Sequence, residues 1–213
     1  MKDKPSEWIS ISDLMAGVMA VVMLLLVMSV LQKSYSELKR KQEMAQGGAA
    51  QQKRIAQMLY DMRLSIDKQG VTNLILFDAK NGKITLKDDV FEKGSACITP
   101  RAAQAFQNIG QKVIIFLKNN PNVNIFVEGY TDSLPVSRPV TDFKRFCTVY
   151  DDNFTLSAAR AREARKLLIP DLNESEARQL IVAGFGDSHP LSGVAPTDAK
   201  NRRVEIQFSV QHG

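Results

Sequence analysis

Histidine and cysteine are scarce in this sequence, with two residues of each. The histidines, His189 and His212, lie in a loop motif and in the C-terminal tail, and no Ser/His/Asp, Cys/His or metal-spaced cluster accompanies them. Nucleophilic catalysis and metal chemistry are thereby left without candidate residues. We therefore expect a protein that is not an enzyme and that uses no cofactor or metal.

The sequence also has no stretch in which lysine and arginine alternate with aromatic residues, the pattern of proteins that bind single-stranded nucleic acid. Its formal net charge is +5, spread over 213 residues. An excess this diffuse suits an anionic neighbour such as lipid headgroups or a cell-wall polymer. We expect no nucleic-acid partner.

Charged residues are absent from residues 14–31, where only alanine, glycine and serine interrupt leucine, methionine and valine. A bilayer core about 30 Å thick needs about 20 helical residues, so the sequence predicts a transmembrane helix over residues 8–31, preceded by a short tail at 1–7. A cleaved signal peptide would need a shorter apolar core and a small-x-small cleavage site. The residues after Leu31 provide no such site, which favours an uncleaved anchor.

Residues 32–70 are rich in lysine, glutamine, glutamate and alanine and predict a helical linker, interrupted at Gly47-Gly48. Its second half carries one apolar stripe with 4-3-4 spacing, formed by Ile55, Leu59, Met62 and Ile66. Such a stripe packs either on the helix's own domain or in a short parallel coiled coil that joins two copies. The sequence leaves both alternatives open.

From residue 71 onward, short strand patterns alternate with helical ones. The predicted strands cover residues 74–77, 84–86, 123–128, 180–183 and 204–210, and the predicted helices cover about 100–118 and 156–168. Asn81-Gly82 indicates a hairpin between the first two strands. The continuous apolar run at 180–183 predicts a core strand. Apolar and polar residues alternate over 204–210, which predicts an edge or half-buried strand. The order β-hairpin, α, β, α, β, β predicts a mixed α/β sandwich.

Four motifs follow one another at the ends of these elements: GYTD at 129–132, NFTLSAARA at 153–161, GFGDSHP at 184–190 and NRRVEI at 201–206. In this order they closely resemble the OmpA-like peptidoglycan-binding domain. The resemblance covers residues 71–211 and implies an OmpA-like peptidoglycan-binding domain over 71–213.

The resemblance implies a ligand and the residues that bind it. Domains of this kind bind the diaminopimelate of the peptidoglycan stem, whose far end carries an ammonium and a carboxylate. Asp132 would bind the ammonium, and Arg160 would bind the carboxylate near the exposed amides of a helix start. Further positions that match the family's site are Thr131, Asn153, Leu156 and Arg203. The alternative is an Asp132–Arg160 salt bridge inside the domain.

The chain departs from this resemblance between its first and second motifs, where residues 134–151 form an insertion in a usually short loop. We expect it to cover or reshape the ligand groove. Cys147 lies in the insertion and Cys97 lies before the first helix of the domain. If the domain is periplasmic, a disulfide between them is expected. The alternative is two separate buried thiols.

The orientation of the span does not follow from charge alone, because Lys2 and Lys4 precede it while four basic residues follow it closely. The positive-inside rule therefore leans against an external C-terminal part. A cell-wall-binding domain and a disulfide imply the opposite. On that ground we expect a single-pass protein of the bacterial inner membrane, with residues 1–7 cytoplasmic and the linker and C-terminal domain periplasmic.

One acidic residue, Asp13, lies at the entry to the span, five positions after Trp8 at the expected interface. An ionised carboxylate is costly there, which suits a group that takes up and releases an ion. The alternative is a helix cap at the membrane surface, with Ser10 and Ser12 helping. The segment resembles the MotB family of stator subunits. That resemblance implies that Asp13 carries the translocated ion and that Ser10 and Ser12 line the channel.

The MotB-like layout implies partners. Members of that family are expected to work as a homodimer inside a ring of MotA-like subunits, five around two, as an ion-driven rotary motor anchored to peptidoglycan. The short tail and short linker most resemble the ZorB subunits of the Zorya anti-phage systems, and this resemblance implies a ZorA-type ring and a motor driven by protons. The alternatives are a flagellar-type stator subunit and a non-conducting tether between membrane and wall.

Overall fold

The computed structural model describes residues 7–168 and 177–210, without the side chains of 7–13, 40, 42–46, 69, 107 and 108. The chain divides into two compact units, Met1–Ala49 and Ala50–Gly213. The helices are α1 (Glu7–Gln69), α2 (Pro100–Asn119), α3 (Phe143–Phe146) and α4 (Asn153–Leu168). The strands are β1 (Ile75–Asp78), β2 (Lys83–Lys87), β3 (Val123–Tyr130), β4 (Leu180–Gly184) and β5 (Arg203–Val210).

The first unit consists of the N-terminal part of α1. Its segment Leu14–Lys39 contains an 18-residue window with a mean hydropathy of 2.8, and the side chains of the segment are exposed in this structure. At 1.5 Å per residue, 26 residues extend over about 39 Å, so the segment is long and apolar enough to cross a membrane. The predicted interruption at Gly47-Gly48 is wrong, because α1 continues through both glycines. A glycine costs a helix only about 1 kcal/mol, which the good helix formers around it offset.

The second unit includes the C-terminal part of α1, whose apolar stripe is buried in the core of the domain. Ile55, Leu59 and Met62 are fully buried, and Ile66 is 1% exposed. The alternative in which the stripe packs on its own domain is therefore confirmed. The coiled-coil alternative is wrong for these four residues, because their side chains are already covered.

The five described strands form one sheet in the order β1-β2-β5-β3-β4, in which only the β3–β4 pair is parallel. The predicted hairpin is present at Gly82, whose φ of +65° favours glycine. With the helices on the sheet, this confirms the predicted α/β architecture.

Two strand assignments are corrected by this order. The strand predicted at an edge or half-buried, β5, lies in the middle of the sheet, whereas the predicted core strand, β4, lies at an edge. The alternation of β5 arises from a polar network on one sheet face, where Arg203 Nε donates to Glu205 Oε1 over 2.7 Å and Lys83 Nζ donates to Glu205 Oε2 over 3.1 Å. These polar side chains are buried because they satisfy one another.

Helix α4 lies unusually close to the sheet, and two glycines allow the approach. A Cβ on Gly129 would collide with the backbone oxygen of Ser157, and a Cβ on Gly184 would lie 2.6 Å from the Cβ of Ala158. The hydroxyl of Ser157 also accepts a hydrogen bond from Gly186 N over 2.9 Å. The first turns of α4 are thereby fixed against the carboxyl ends of β3 and β4.

Candidate ligand site of buried opposite charges

Three strand ends meet at one end of the sheet. Arg203 begins β5 and is paired with Lys87, the last residue of β2, and with Tyr130, the last residue of β3. The residues just beyond these positions are therefore brought together, although they are far apart in sequence. Two of them are acidic, Asp88 and Asp132.

Asp132 is 6% exposed and is held on both its backbone and its side chain. Its Oδ1 accepts from Leu134 N over 3.3 Å, and its Oδ2 accepts from Arg202 Nη1 over 2.6 Å. Asn153, the first residue of α4, donates through Nδ2 to the backbone oxygens of Asp132, over 3.1 Å, and of Leu134, over 3.0 Å. The predicted residue Asn153 thus fixes the loop that carries the carboxylate.

Arg160 projects from α4 and is 2% exposed. Its Nε donates to the backbone oxygen of Ser95 over 2.9 Å, its Nη1 donates to Asp88 Oδ1 over 3.0 Å, and its guanidinium lies 5.2 Å from the ring centroid of Phe91. Burial lowers the pKa of Arg160, while the nearby Asp88 carboxylate opposes that shift. An arginine remains charged under these conditions, so a buried cation faces the site.

Asp132 and Arg160 do not pair with each other, so the alternative of an internal salt bridge between them is wrong. Two residues that the sequence analysis missed lie between them. Asp88 gives Oδ1 to Arg160 and Oδ2 to Arg202 Nε, the latter over 2.8 Å, and Arg202 in turn reaches Asp132. The result is a chain of alternating charges, Arg160–Asp88–Arg202–Asp132.

The four charges differ in their exposure to solvent. The side chains of Asp132 and Arg160 are 7% and 3% exposed, whereas those of Asp88 and Arg202 are 30% and 32% exposed. Burial lowers the pKa of Arg202, but its hydrogen bonds to Asp88 and Asp132 outweigh that effect, so the pKa lies above its usual value. Asp132 and Arg160 thus form an inner pair of charges, and Asp88 and Arg202 form an outer pair.

Thr131 precedes Asp132 and is 3% exposed. Its backbone N donates to Gly186 O over 2.8 Å. Within residues 7–168 and 177–210, its Oγ1 is the buried side-chain polar atom for which the structure shows no hydrogen-bond partner. A buried hydroxyl without a partner is uncommon in folded proteins and is consistent with a ligand-binding role. The predicted residue Leu156 is buried, with 7% exposure.

Arg203 lies beside the inner pair rather than in it. Its guanidinium stacks 4.0 Å from the centroid of the Tyr130 ring and donates to Glu205. Burial raises the pKa of Glu205, but hydrogen bonds from Arg203 and Lys83 outweigh it, so the pKa lies below its usual value. The structure therefore assigns Arg203 to the polar network on the sheet face.

The insertion is fastened to the loop that holds Ser95. A disulfide joins Cys97 to Cys147, with their Cα atoms 5.1 Å apart. The backbone oxygen of Phe146 accepts from Ala96 N and from Ser95 Oγ, each over 3.0 Å. Because the backbone oxygen of Ser95 accepts from Arg160, the insertion supports the loop that holds this arginine.

The residues predicted to carry and line the ion path lie in the N-terminal part of α1. The side chains of Ser10, Ser12 and Asp13 lie outside the described part of the chain, although their backbone belongs to α1. In the part that the structure describes, no group of three or more histidine, cysteine, aspartate or glutamate side chains is placed to hold a metal ion.

Comparison of the sequence with models of protein families identifies the family that contains these charged residues. The model of the OmpA family matches residues 90–203, which include three of the four charges, Asp132, Arg160 and Arg202, while Asp88 lies just before the matched range. The chain belongs to the OmpA family. The matched OmpA residues thus supply both charges of the inner pair and Arg202 of the outer pair.

Individual relatives of this OmpA-family chain include motility proteins. Motility protein B of Bacillus subtilis is 29% identical over 126 residues, which are 58% of this chain and 43% of that protein, so the chain matches less than half of the relative's length. A MotB-like protein from Desulfovibrio vulgaris has the same fold, with a TM-score of 0.53 and 23% identity over 75% of this chain and 96% of that one. The periplasmic domain of Helicobacter pylori MotB is 25% identical, with a TM-score of 0.45 over 61% of this chain and 76% of that one.

Proposed function

We propose that this chain anchors an inner-membrane ion-driven motor to peptidoglycan through Asp132 and Arg160. The observation that carries the proposal is the inner pair itself. A buried carboxylate and a buried guanidinium stand at the same end of the sheet, at the positions that the OmpA-like motifs mark. Buried charges are costly, and they are commonly retained where they bind something.

The inner pair suits a ligand that carries both charges. The diaminopimelate of the peptide stem ends in an ammonium and a carboxylate. Asp132 can accept hydrogen bonds from the ammonium, and the guanidinium of Arg160 can bind the carboxylate through parallel N–H groups. The hydroxyl of Thr131 offers a further acceptor beside Asp132.

Two features support the proposed location of the protein. The apolar segment Leu14–Lys39 supplies a single span of the inner membrane. The disulfide between Cys97 and Cys147 is typical of an oxidising compartment, which favours a periplasmic OmpA domain and a cytoplasmic N-terminus. This arrangement places the candidate site on the same side of the membrane as the cell wall.

The motor function depends on the span. Asp13 is the proposed ion carrier, with Ser10 and Ser12 lining its path, in a homodimer inside a MotA-like ring of five subunits. Protonation of Asp13 would change its contact with the ring, and the peptidoglycan anchor would hold the dimer against the torque. The similarity to motility protein B supports a stator-type assembly. The short linker between the span and the OmpA domain supports a ZorB-like role in anti-phage defence.

Sedimentation with peptidoglycan tests the anchoring function. The full chain in detergent is mixed with sacculi of the diaminopimelate type, and the bound fraction is measured over a range of protein concentrations. Asp132→Asn and Arg160→Gln each remove one charge of the inner pair, so we expect the affinity to fall by at least about tenfold. As the control, Arg63→Gln/Asp67→Asn removes an exposed ion pair of α1 and should bind like the wild type.

Circular dichroism spectra of each variant show whether its fold is retained. A folded Asp132→Asn protein that binds sacculi as tightly as the wild type would contradict the proposal. Failure of the wild-type chain to sediment with sacculi would contradict it as well.

A further inference from the structure

The outer pair occupies the contacts that a ligand would need, and the inference below rests on the proposed function. We infer that Asp88 and Arg202 act as an internal substitute for the ligand, which the zwitterionic end of the ligand displaces from the inner pair. Asp88 and Arg202 would then set the affinity and the charge selectivity of the site, although the main contacts of the bound ligand are with Asp132 and Arg160.

Each member of the outer pair imitates one charge of the ligand. The guanidinium of Arg202 donates to Asp132 Oδ2, where an ammonium would bind, and the carboxylate of Asp88 accepts from Arg160 Nη1, where a carboxylate would bind. The outer pair is about one third exposed and the inner pair is nearly buried. The side chains that cover the inner pair are therefore the ones with access to solvent.

The contacts of the substitute are weaker than those of a ligand. Asp88 is divided between two arginines, with one oxygen on Arg160 and the other on Arg202. Arg160 consequently receives a single carboxylate oxygen rather than the two-point contact that guanidinium and carboxylate groups favour. A ligand carboxylate that is not shared with Arg202 can present both of its oxygens to Arg160, which favours the exchange.

The displaced pair is not left with unpaired charges. Asp88 and Arg202 are already bonded to each other over 2.8 Å, so after displacement they remain an ion pair and their released groups can bind each other or water. They also line a cavity of about 560 Å³, together with Leu191, Ala199 and Lys200. This cavity gives the outer pair room to move aside as a unit, and the total charge of the four residues is conserved.

The exchange selects against ligands that carry one charge only. An ammonium alone would displace Arg202 from Asp132 but would leave Asp88 on Arg160, and a carboxylate alone would do the reverse. A zwitterion regains both contacts of the inner pair at once. The outer pair therefore favours a ligand end with both charges over a lysine side chain of similar length.

The test is a double variant, Asp88→Asn/Arg202→Gln, which removes both charges of the substitute and leaves the net charge unchanged. Full-length protein in detergent is titrated with diaminopimelate-type sacculi, alongside Asp132→Asn and the control Arg63→Gln/Asp67→Asn. We expect the double variant to bind about fivefold more tightly than the wild type, the effect of an ion pair that is partly exposed. Unchanged or weaker binding by the double variant would overturn the inference.

Two further comparisons keep the result interpretable. Arg202→Lys retains the cation but replaces the two nitrogens that bind Asp88 and Asp132 separately by a single ammonium nitrogen, which holds the two carboxylates less well. It should therefore bind sacculi more tightly than the wild type by about twofold, which tests the inference if the double variant does not fold. Equal or weaker binding by folded Arg202→Lys would count against it. If the wild type binds, Asp132→Asn does not, and neither outer-pair variant binds more tightly, the anchoring function stands and the exchange fails. If no protein binds, both fail.

Discussion

Arg160 donates its Nε–H to the backbone oxygen of Ser95 over 2.9 Å, and this contact ties the candidate site to the disulfide. Ser95 is 1% exposed, and its hydroxyl donates to Phe146 O in the insertion, next to Cys147. The bond between Cys97 and Cys147 holds the two segments together over a separation of 50 residues. The orientation of the buried guanidinium therefore depends on a covalent link that lies outside the site.

The first prediction concerns loss of this disulfide. Cys97→Ser/Cys147→Ser should lower the free energy of unfolding by about 2 to 4 kcal/mol, because the unfolded chain is no longer constrained. It should also weaken binding to sacculi, because Ser95 no longer fixes Arg160. Calorimetric melting and sedimentation measure the two effects. A reducing agent should produce both changes in the wild type and neither in the double variant; a wild-type melting temperature insensitive to reduction would contradict the prediction.

Asn153 provides the second prediction. Its Nδ2 group donates to two backbone oxygens in the loop after β3, those of Asp132 and Leu134, so Asn153→Ala leaves both acceptors without this donor. We expect a loss of about 1 to 3 kcal/mol in stability and a weaker affinity for sacculi. Lys166→Ala, an exposed change on the same helix, is the control and should alter neither quantity. Equal melting temperatures for the two variants would show that Asn153 does not hold the loop.

The third prediction is a pH dependence that arises from Glu205. Hydrogen bonds from Arg203 and Lys83 hold the pKa of this carboxyl below its usual value, despite its burial. A carboxyl with a lowered pKa in the folded state stabilises the fold at neutral pH, and that stabilisation is lost as the pH falls below about 4.3, its usual value when unfolded.

Glu205→Gln tests this assignment. The variant should be less stable than the wild type by about 2 kcal/mol at pH 7, because Arg203 keeps a buried charge without its partner. The difference should shrink as the pH is lowered from 5 toward 3, which thermal melts at a series of pH values measure. A difference that stays constant over that range would show that the carboxylate of Glu205 does not stabilise the fold through its charge.

Most helices and strands of the OmpA domain could be predicted from local sequence patterns. The chain of alternating charges in the site could not. The helix that carries the stripe from Ile55 to Ile66 and the turn at Gly82 follow from a few neighbouring residues, since period and turn chemistry are local. What the stripe packs on required the structure. Asp88 and Arg202 escaped prediction because they are 114 residues apart and meet only through the register of β2, β5 and β3. The same long-range pairing places β5 in the middle of the sheet, which its alternating pattern does not show.

The last prediction separates a motor from a tether. Asp13→Asn keeps the size of the side chain but removes its ability to bind and release a proton, so an ion-driven motor should lose its function. In cells that carry this chain with its native neighbours, we expect phage plaquing to rise to the level of cells without the system. Wild type, Asp13→Asn, Asp132→Asn and the control Asp67→Asn are compared at matched expression, and the control should protect like the wild type.

The pattern of loss decides between the functions. Loss of protection in both Asp13→Asn and Asp132→Asn is expected, because ion flow and wall anchoring are both needed for torque on a fixed dimer. Protection that survives Asp13→Asn but not Asp132→Asn would reduce the chain to a tether between membrane and wall. If the wild type does not protect, the defence role is contradicted in that host. Motility of a stator-deleted strain, with the same variants, then tests the flagellar alternative, because that function requires the same carboxylate in the span.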